Sequence, residues 1–363
     1  MAQSRIGMAP ASRGARKGLR LAAREERMAW LLLLPSVLLL LTVALFPLGR
    51  VFYSSFTDAR FAAAGSQEVN FVGMRNYREL LSFTLRELPY QVDADGVRRY
   101  DHPRLFLRRL DTSMSYDEVV TFDLFGTRYV LGAVRPEFVR SVIDTVIFTV
   151  VTVSLETILG MIVALALAAK FFGRNAMRTA MLVPWAIITV VSARIWEWMF
   201  RSNRSGFFNS LLDRLGWGDG NTGFLTEPAL QLPSIIAIDV WKTTPFMALL
   251  LLAGLSVIPK ELYEAAEVDG ASPIRRFFTI TLPLVSPTLA VALVFRTLDA
   301  LRVFDLFQVV FGERRFSMAS FAQYTLVANR DVGLSSAASV VIFLIIFIFA
   351  IIYIRALKVD SGD

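Results

Sequence analysis

The sequence predicts an all-α integral membrane protein of six spanning helices with one small α/β insert between the first and second. Three observations carry that reading. Hydrophobic residues make up 55% of the 363-residue chain and charged residues only 19%, a balance suited to lipid rather than water. The apolar residues gather in six runs, at 28–48, 141–169, 177–200, 232–257, 287–311 and 334–354. Each run is about the ~20 residues that a helix needs to cross ~30 Å of hydrocarbon. The remaining long gap, 49–140, is hydrophilic and too long for a linker.

Taken in order, residues 1–27 hold seven Lys/Arg among glycines and alanines and read as a flexible basic tail. The run 28–48 competes with a secretory signal, but its length and the lack of a small-residue cleavage site favour a retained helix. Within the insert, 93–134 mixes charges with short aromatic and β-branched runs such as 119–125 and 127–130, which read as strands. The stretch 141–311 holds spans two to five with the polar loop 258–286, then comes a loop, 312–333, and 334–363 holds the last span and a short tail. An even number of spans puts both termini on one side. Tail, 170–178, 258–286 and 355–363 together carry fifteen Lys/Arg, against six in 201–231 and 312–333. The positive-inside rule therefore places both termini and the 258–286 loop in the cytoplasm of a multi-pass inner-membrane protein, and leaves the insert outside.

Several chemistries are excluded. With no cysteine and the single histidine His102, thiolate sites and most histidine-based metal or acid–base schemes have no ligands. There is no G-x4-G-K-[ST] loop, so no nucleotide-hydrolysing site of that type lies in this chain. The net charge of +7 is spread beside the apolar runs, which fits membrane topology rather than nucleic acid.

The 258–286 loop is the most informative stretch. Lys260 to Val268 consists of good helix formers with a small apolar face between Glu261, Glu264 and Glu267. Gly270 suits a helix C-terminus and Ser272-Pro273 a new start, giving helix, turn, helix. Paired small residues, Ala265 and Ala266, let another surface approach the backbone, and the carboxylates offer partners to arginine. Glu264-Ala265-Ala266, three residues, Gly270, nine residues, Ile280, one residue and Leu282-Pro283 form a signature that resembles the E-A-A-x3-G-x9-I-x-L-P loop of bacterial ABC-importer permeases. The resemblance implies the six-helix permease fold and a loop, with Glu264, Ala265, Ala266, Asp269 and Gly270 at its centre, that inserts into a cleft of an ATPase subunit. It also implies the partners: a second homologous permease subunit, a dimer of ATP-binding subunits that hold ATP and Mg, and an extracytoplasmic solute-binding (lipo)protein. No cofactor is implied in this subunit.

Ionisable residues inside spans are costly and mark pathways or polar contacts. Here they are Glu156, Arg194, Glu197, Asp239, Lys242, Arg296, Asp299, Arg302 and Asp305. In the fifth span the signs alternate every three residues, a spacing that permits a self-neutralising ladder. The competing reading is a water-filled cavity in which these groups hydrogen-bond a polyhydroxylated solute while Trp241, Phe246 or Phe304 offer flat apolar faces. Trp185, Trp196, Trp198 and Trp217 read as packing or interface-belt residues. Phe71 to Tyr77 (FVGMRNY), Leu182-Val183-Pro184-Trp185, the run 249–255 with Ile258-Pro259, and Phe304-Asp305 look like the carbohydrate branch of these permeases. Segments 241–247 (WKTTPFM) and 295–305 are similar to trehalose-importer permeases. That resemblance implies a disaccharide, trehalose or a relative, bound at Asp239, Lys242, Thr243, Phe246, Arg296, Asp299, Ala300 and Val303, and an insert that contacts the solute-binding protein. The family's Gly-Gly-Pro after the fifth span is replaced by Phe311-Gly312-Glu313-Arg314, so that loop departs from the family's pattern. Rival readings are an importer of glycerol 3-phosphate or a polyamine, and a membrane enzyme using Glu156 or Asp299. The intramembrane charges, four basic and five acidic, favour neither an anion nor a polycation.

Overall fold

The computed structural model of the chain describes residues 13–61, 68–95, 97–110 and 114–356. It divides into two compact units, Met1–Ser54 and Ser55–Asp363. In the first, α1 (Arg13–Leu40) passes through a π turn, Leu41–Leu45, into α2 (Phe46–Ser54). Residues 13–27, expected as flexible tail, are therefore helical. Their alanines, arginines, leucines and glutamates are strong helix formers and continue directly into the apolar run, so no nucleation is needed. The rest of that expected tail, 1–12, lies outside the described residues. The π turn falls beside Pro47, whose ring nitrogen has no hydrogen to give the preceding turn.

The second unit begins with a polar clasp. The side-chain amide of Asn76, on α3 (Arg75–Leu81), donates to the carbonyls of Ser55 and Thr57, both at 2.9 Å. Tyr77 Oη lies 2.7 Å from Ser55 Oγ. The FVGMRNY motif is thus a local fastening, with Gly73 at φ +58° supplying its turn. The insert follows as β1 (Phe83–Glu87), β2 (Tyr90–Val92), β3 (Arg98–Tyr100), α4 (Pro103–Arg108), β4 (Asp117–Leu124) and β5 (Thr127–Ala133). Its three-stranded antiparallel sheet has the order β1-β5-β4, with β2 and β3 as a separate hairpin. The sheet therefore begins before the expected limit of 93, because β5 pairs Ala133 back to Phe83. Leu88, Leu107 and Val130 form its small core. Phe125, expected as the end of a strand, instead shares the β4–β5 turn with Gly126, both at positive φ (50° and 81°), as a two-residue hairpin of the primed type requires.

The membrane-type helices are α5 (Pro136–Ala168), α6 (Arg174–Ala186), α7 (Thr189–Met199), then short α8 (Phe207–Arg214), α9 (Pro228–Ser256), α10 (Lys260–Val268) and α11 (Pro273–Arg276). A π turn, Phe277–Thr281, leads into α12 (Leu282–Leu301), followed by α13 (Asp305–Phe311), α14 (Met318–Val327) and α15 (Val332–Ala356). Among the described residues five helices are long and apolar enough to cross a membrane, or six if the bent pair α6 and α7 counts as one. The expected single span 177–200 is corrected: α6 and α7 meet at 91°. Pro184 removes one helical hydrogen bond, and Ile187 and Ile188 take extended ψ values of 132° and 134°. The expected span 287–311 lies within one candidate span, Pro273–Phe311, although Arg302 to Phe304 interrupt its helix before α13 begins.

Helices α5 and α9 form the centre. They approach closely at Gly160, where a Cβ would lie 2.8 Å from Met247 Cγ. Around that contact Met161, Ala164, Leu167, Met247, Leu251, Val285 and Ala292 make one apolar cluster, joining α5, α9 and α12. A second joins α5, α7, α9 and α13 through Phe148, Ala193, Ile235 and Phe307. Between these two dry layers sit the buried charges. Gly160→Val is expected to push α5 from α9 and destabilise the fold by ~1–3 kcal/mol, read as a lowered unfolding midpoint of the purified protein.

Candidate functional site

One guanidinium organises the polar interior. Arg296, on α12, is only 3% exposed and is held by three carboxylates from three helices. Its Nε donates to Glu156 Oε2 at 2.5 Å and its Nη2 to Glu156 Oε1 at 3.0 Å, a two-pronged grip from α5. The same Nη2 donates to Asp239 of α9, and Nη1 to Asp299 at 3.0 Å, one turn along α12. Glu156 is fully buried, Asp239 15% exposed and Asp299 66% exposed, so the cluster grades from dry protein to open space.

That open space is a cavity of about 220 Å³ whose lining includes Asp239, Lys242, Thr243, Asp299, Val303 and Phe304, with Phe148, Trp185, Thr189, Arg302 and Asp305 also in its wall. Of the eight residues expected to meet solute, seven line it: Asp239, Lys242, Thr243, Arg296, Asp299, Ala300 and Val303. Phe246 does not line it directly. It stacks on Trp185 at 5.4 Å and 8°, and Trp185, expected as packing, is the member of that pair that lines the cavity. Trp241 sits edge-on to Trp196 in a separate aromatic cluster with Phe200 and Phe208. Phe304 lines the wall as expected. The charge ladder of the fifth span holds for one rung only, Arg296 to Asp299. Arg302 caps the end of α12, its Nε donating to the Leu298 carbonyl at 3.1 Å, and Asp305 opens the next helix. Arg194 and Glu197 pair with each other at 2.6 Å on α7.

A second buried ion pair lies outside that cluster. Arg315 grips Asp144 of α5 with two bonds of 2.6 Å and adds the Pro228 carbonyl at 3.1 Å. It floors a polar crevice of about 370 Å³ between the insert, the start of α5 and the 313–316 loop. Sequence reading missed it. An acid within the apolar run 141–169 was a readable signal at Asp144, whereas Arg315 sits in a loop with none. The loop that departs from the Gly-Gly-Pro pattern is shaped by Gly312 at φ +57° and by Arg314, whose Nη2 donates to the Val310 carbonyl at 3.0 Å.

The 258–286 loop folds as expected. α10 ends in a Schellman turn, with Gly270 N–H donating to Glu267 and Ala271 N–H to Ala266, and Gly270 at φ +73°. Ser272 caps α11 by accepting from the Arg275 N–H. Glu264, Ala265, Asp269 and Gly270 are exposed and Ala266 half-buried. Val268 (88%), Ile274 (73%) and Phe278 (61%) leave an apolar patch around them.

With this geometry in view, residues 129–358 match the family described as binding-protein-dependent transport system inner membrane component. The chain is 37% identical over 343 residues to the trehalose/maltose transport system permease protein MalF of Thermococcus litoralis, covering 93% of this chain and 95% of that protein. It is 31% identical over 342 residues to the trehalose transport system permease protein SugA of Mycobacterium tuberculosis, covering 94% and 91%. The sulfoquinovosyl glycerol transport system permease protein SmoG of Agrobacterium fabrum is 32% identical over 338 residues, covering 92% and 91%. A chain of a bacterial ABC transporter involved in the import of the acidic polysaccharide alginate shares the fold, with a TM-score of 0.67 at 18% identity over 95% of this chain and 99% of that one.

Removing the guanidinium strands Glu156 in a dry interior and takes the partner from Asp239 and Asp299 beside it. Arg296→Met is therefore expected to cost ~3–5 kcal/mol, seen as a large drop in unfolding midpoint.

Proposed function

Because this chain belongs to the family of ABC-importer permeases that serve binding-protein-dependent transport, we propose that it is the translocating subunit of an ATP-driven importer for trehalose or a related disaccharide. The observation that carries the reading is the polar cavity over Arg296, set between apolar clusters of helices long enough to span lipid. A disaccharide is uncharged and rich in hydroxyls. Asp239 and Asp299 accept from hydroxyls, Lys242 and Thr243 donate to them, and the Trp185 ring covers a sugar face. The names of the relatives from Thermococcus litoralis and Mycobacterium tuberculosis support the same solute class.

The balance of charge around the cavity, Lys242, Arg296 and Arg302 against Asp239, Asp299 and Asp305, speaks against a phosphate ester or a polyamine. The cavity's ~220 Å³ lies below the ~300 Å³ at which solute sites usually begin, so in this reading its wall opens to admit sugar. In this reading the 258–286 loop is cytoplasmic, as are both termini. The exposed patch at Val268, Ile274 and Phe278 seats in an ATP-binding subunit, with Glu264, Ala265, Ala266, Asp269 and Gly270 at the contact. The insert lies outside and meets the solute-binding protein. A second permease subunit completes the pathway, and closure of the ATPase dimer biases the helices toward the outward-open state.

Reconstitution with the ATP-binding subunits, second permease and binding protein tests this. Trehalose or maltose is expected to stimulate ATP hydrolysis and enter the vesicle; hydrolysis indifferent to every disaccharide tried counts against the sugar assignment. Asp299→Ala is expected to weaken transport by ~10–100-fold through loss of a charged hydrogen bond to the sugar. Glu264→Arg is expected to lose co-purification of the ATP-binding subunit.

A further inference from the structure

Helix α10 buries none of its nine residues, so packing alone does not hold it to the helices that follow. Its two faces differ. Leu262, Ala265 and Val268 point outward, whereas Tyr263 and Glu267, four residues apart and so on one side of the helix, turn toward the chain's own α11 to α12 segment. Two polar contacts cross that gap. Glu267 accepts from Arg276 at 3.1 Å, but with Glu267 72% exposed this is a surface pair of small worth. Tyr263 Oη lies 3.0 Å from Thr281 Oγ1, and Thr281 is only 3% exposed. Among the described residues it is the contact from α10 that reaches a buried polar group.

Thr281 stands at a particular place. It is the last residue of the π turn Phe277–Thr281, where Leu282 N–H donates five residues back to the Phe277 carbonyl. From Thr281 the chain runs as α12 to Arg296, fifteen residues and about 22 Å away at 1.5 Å per residue. Along the way α12 bears on α9 at Gly254, where a Cβ would meet Thr288 at 2.8 Å. The same helix thus carries the buried end of the Tyr263 contact at one end and the Arg296 cluster at the other.

Resting on the importer reading above, we propose that the Tyr263–Thr281 hydrogen bond is the strut through which displacement of α10 is passed to α12 and on to the cavity. Tyr263 is in this account a positioning residue that touches neither sugar nor nucleotide. Without the strut, α10 still presents its outward face to the ATP-binding subunit, but its movement is taken up in the π turn.

The test uses the whole reconstituted importer. Tyr263→Phe removes one hydroxyl and keeps the ring, and Thr281→Val removes its partner. Each is expected to leave co-purification of the ATP-binding subunit intact while lowering sugar transported per ATP hydrolysed by about two- to tenfold. The double variant is expected to lose no more than either single one, and Thr281→Ser, which keeps a hydroxyl, to retain wild-type coupling. Wild-type transport per ATP in Tyr263→Phe overturns the proposal. So does loss of the ATP-binding subunit in both single variants, which makes the contact a matter of folding. If the wild-type chain itself binds no ATP-binding subunit, the importer reading fails, an outcome distinct from either of these.

Discussion

The interior of this protein depends on one charge being satisfied three times. A guanidinium buried as deeply as that of Arg296 is tolerable only because Glu156, Asp239 and Asp299 surround it, each from a definite helical position. The arrangement fixes the rotation of α5, α9 and α12 about their axes, since a slip of one residue swings the carboxylate of α5 or α9, or the guanidinium of α12, away by about 100°. It also divides the labour of the acids. Glu156 is spent wholly on Arg296, whereas Asp299 keeps most of its surface for the cavity.

That division explains which parts of the site are legible in the sequence. Ionisable residues in apolar runs mark themselves, so Asp239, Lys242, Arg296 and Asp299 stand out by position alone. Their pairing does not. A spacing of three along 296–305 reads as a continuous ladder only if the helix is continuous, and the helix stops at Leu301. Trp185 is equally ambiguous, because an aromatic residue near a span's end is usually packing or interface. Its exposure to the cavity follows from the bend between α6 and α7, which Pro184 and two adjacent isoleucines produce and a hydropathy run conceals. Asp144 with Arg315 joins residues 171 positions apart, a distance over which no local pattern speaks.

Local rules fare better where the chemistry is local. Gly270, Ser272 and Pro273 mark the end of one helix and the start of the next by backbone constraints alone, and the helix, turn, helix of the 258–286 loop follows them. The hairpin of β4 and β5 lies where β-branched and aromatic residues cluster, with only its turn displaced by a positive-φ phenylalanine. Within the second unit two dry layers enclose a polar one, and α12 joins them to the exposed 258–286 loop. Family membership and this geometry agree on a membrane translocation subunit, and the solute's identity is what the cavity's hydrogen-bonding groups propose.

Because the sequence contains no cysteine, a single one introduced into the cavity wall reports on the pathway without background from this chain. In the assembled transporter carrying Val303→Cys, a membrane-impermeant maleimide is expected to label from the extracytoplasmic side only when the ATPase is trapped in its nucleotide-bound state. Trehalose or maltose is expected to slow that labelling. Labelling that ignores both nucleotide and sugar would contradict an alternating cavity over Arg296.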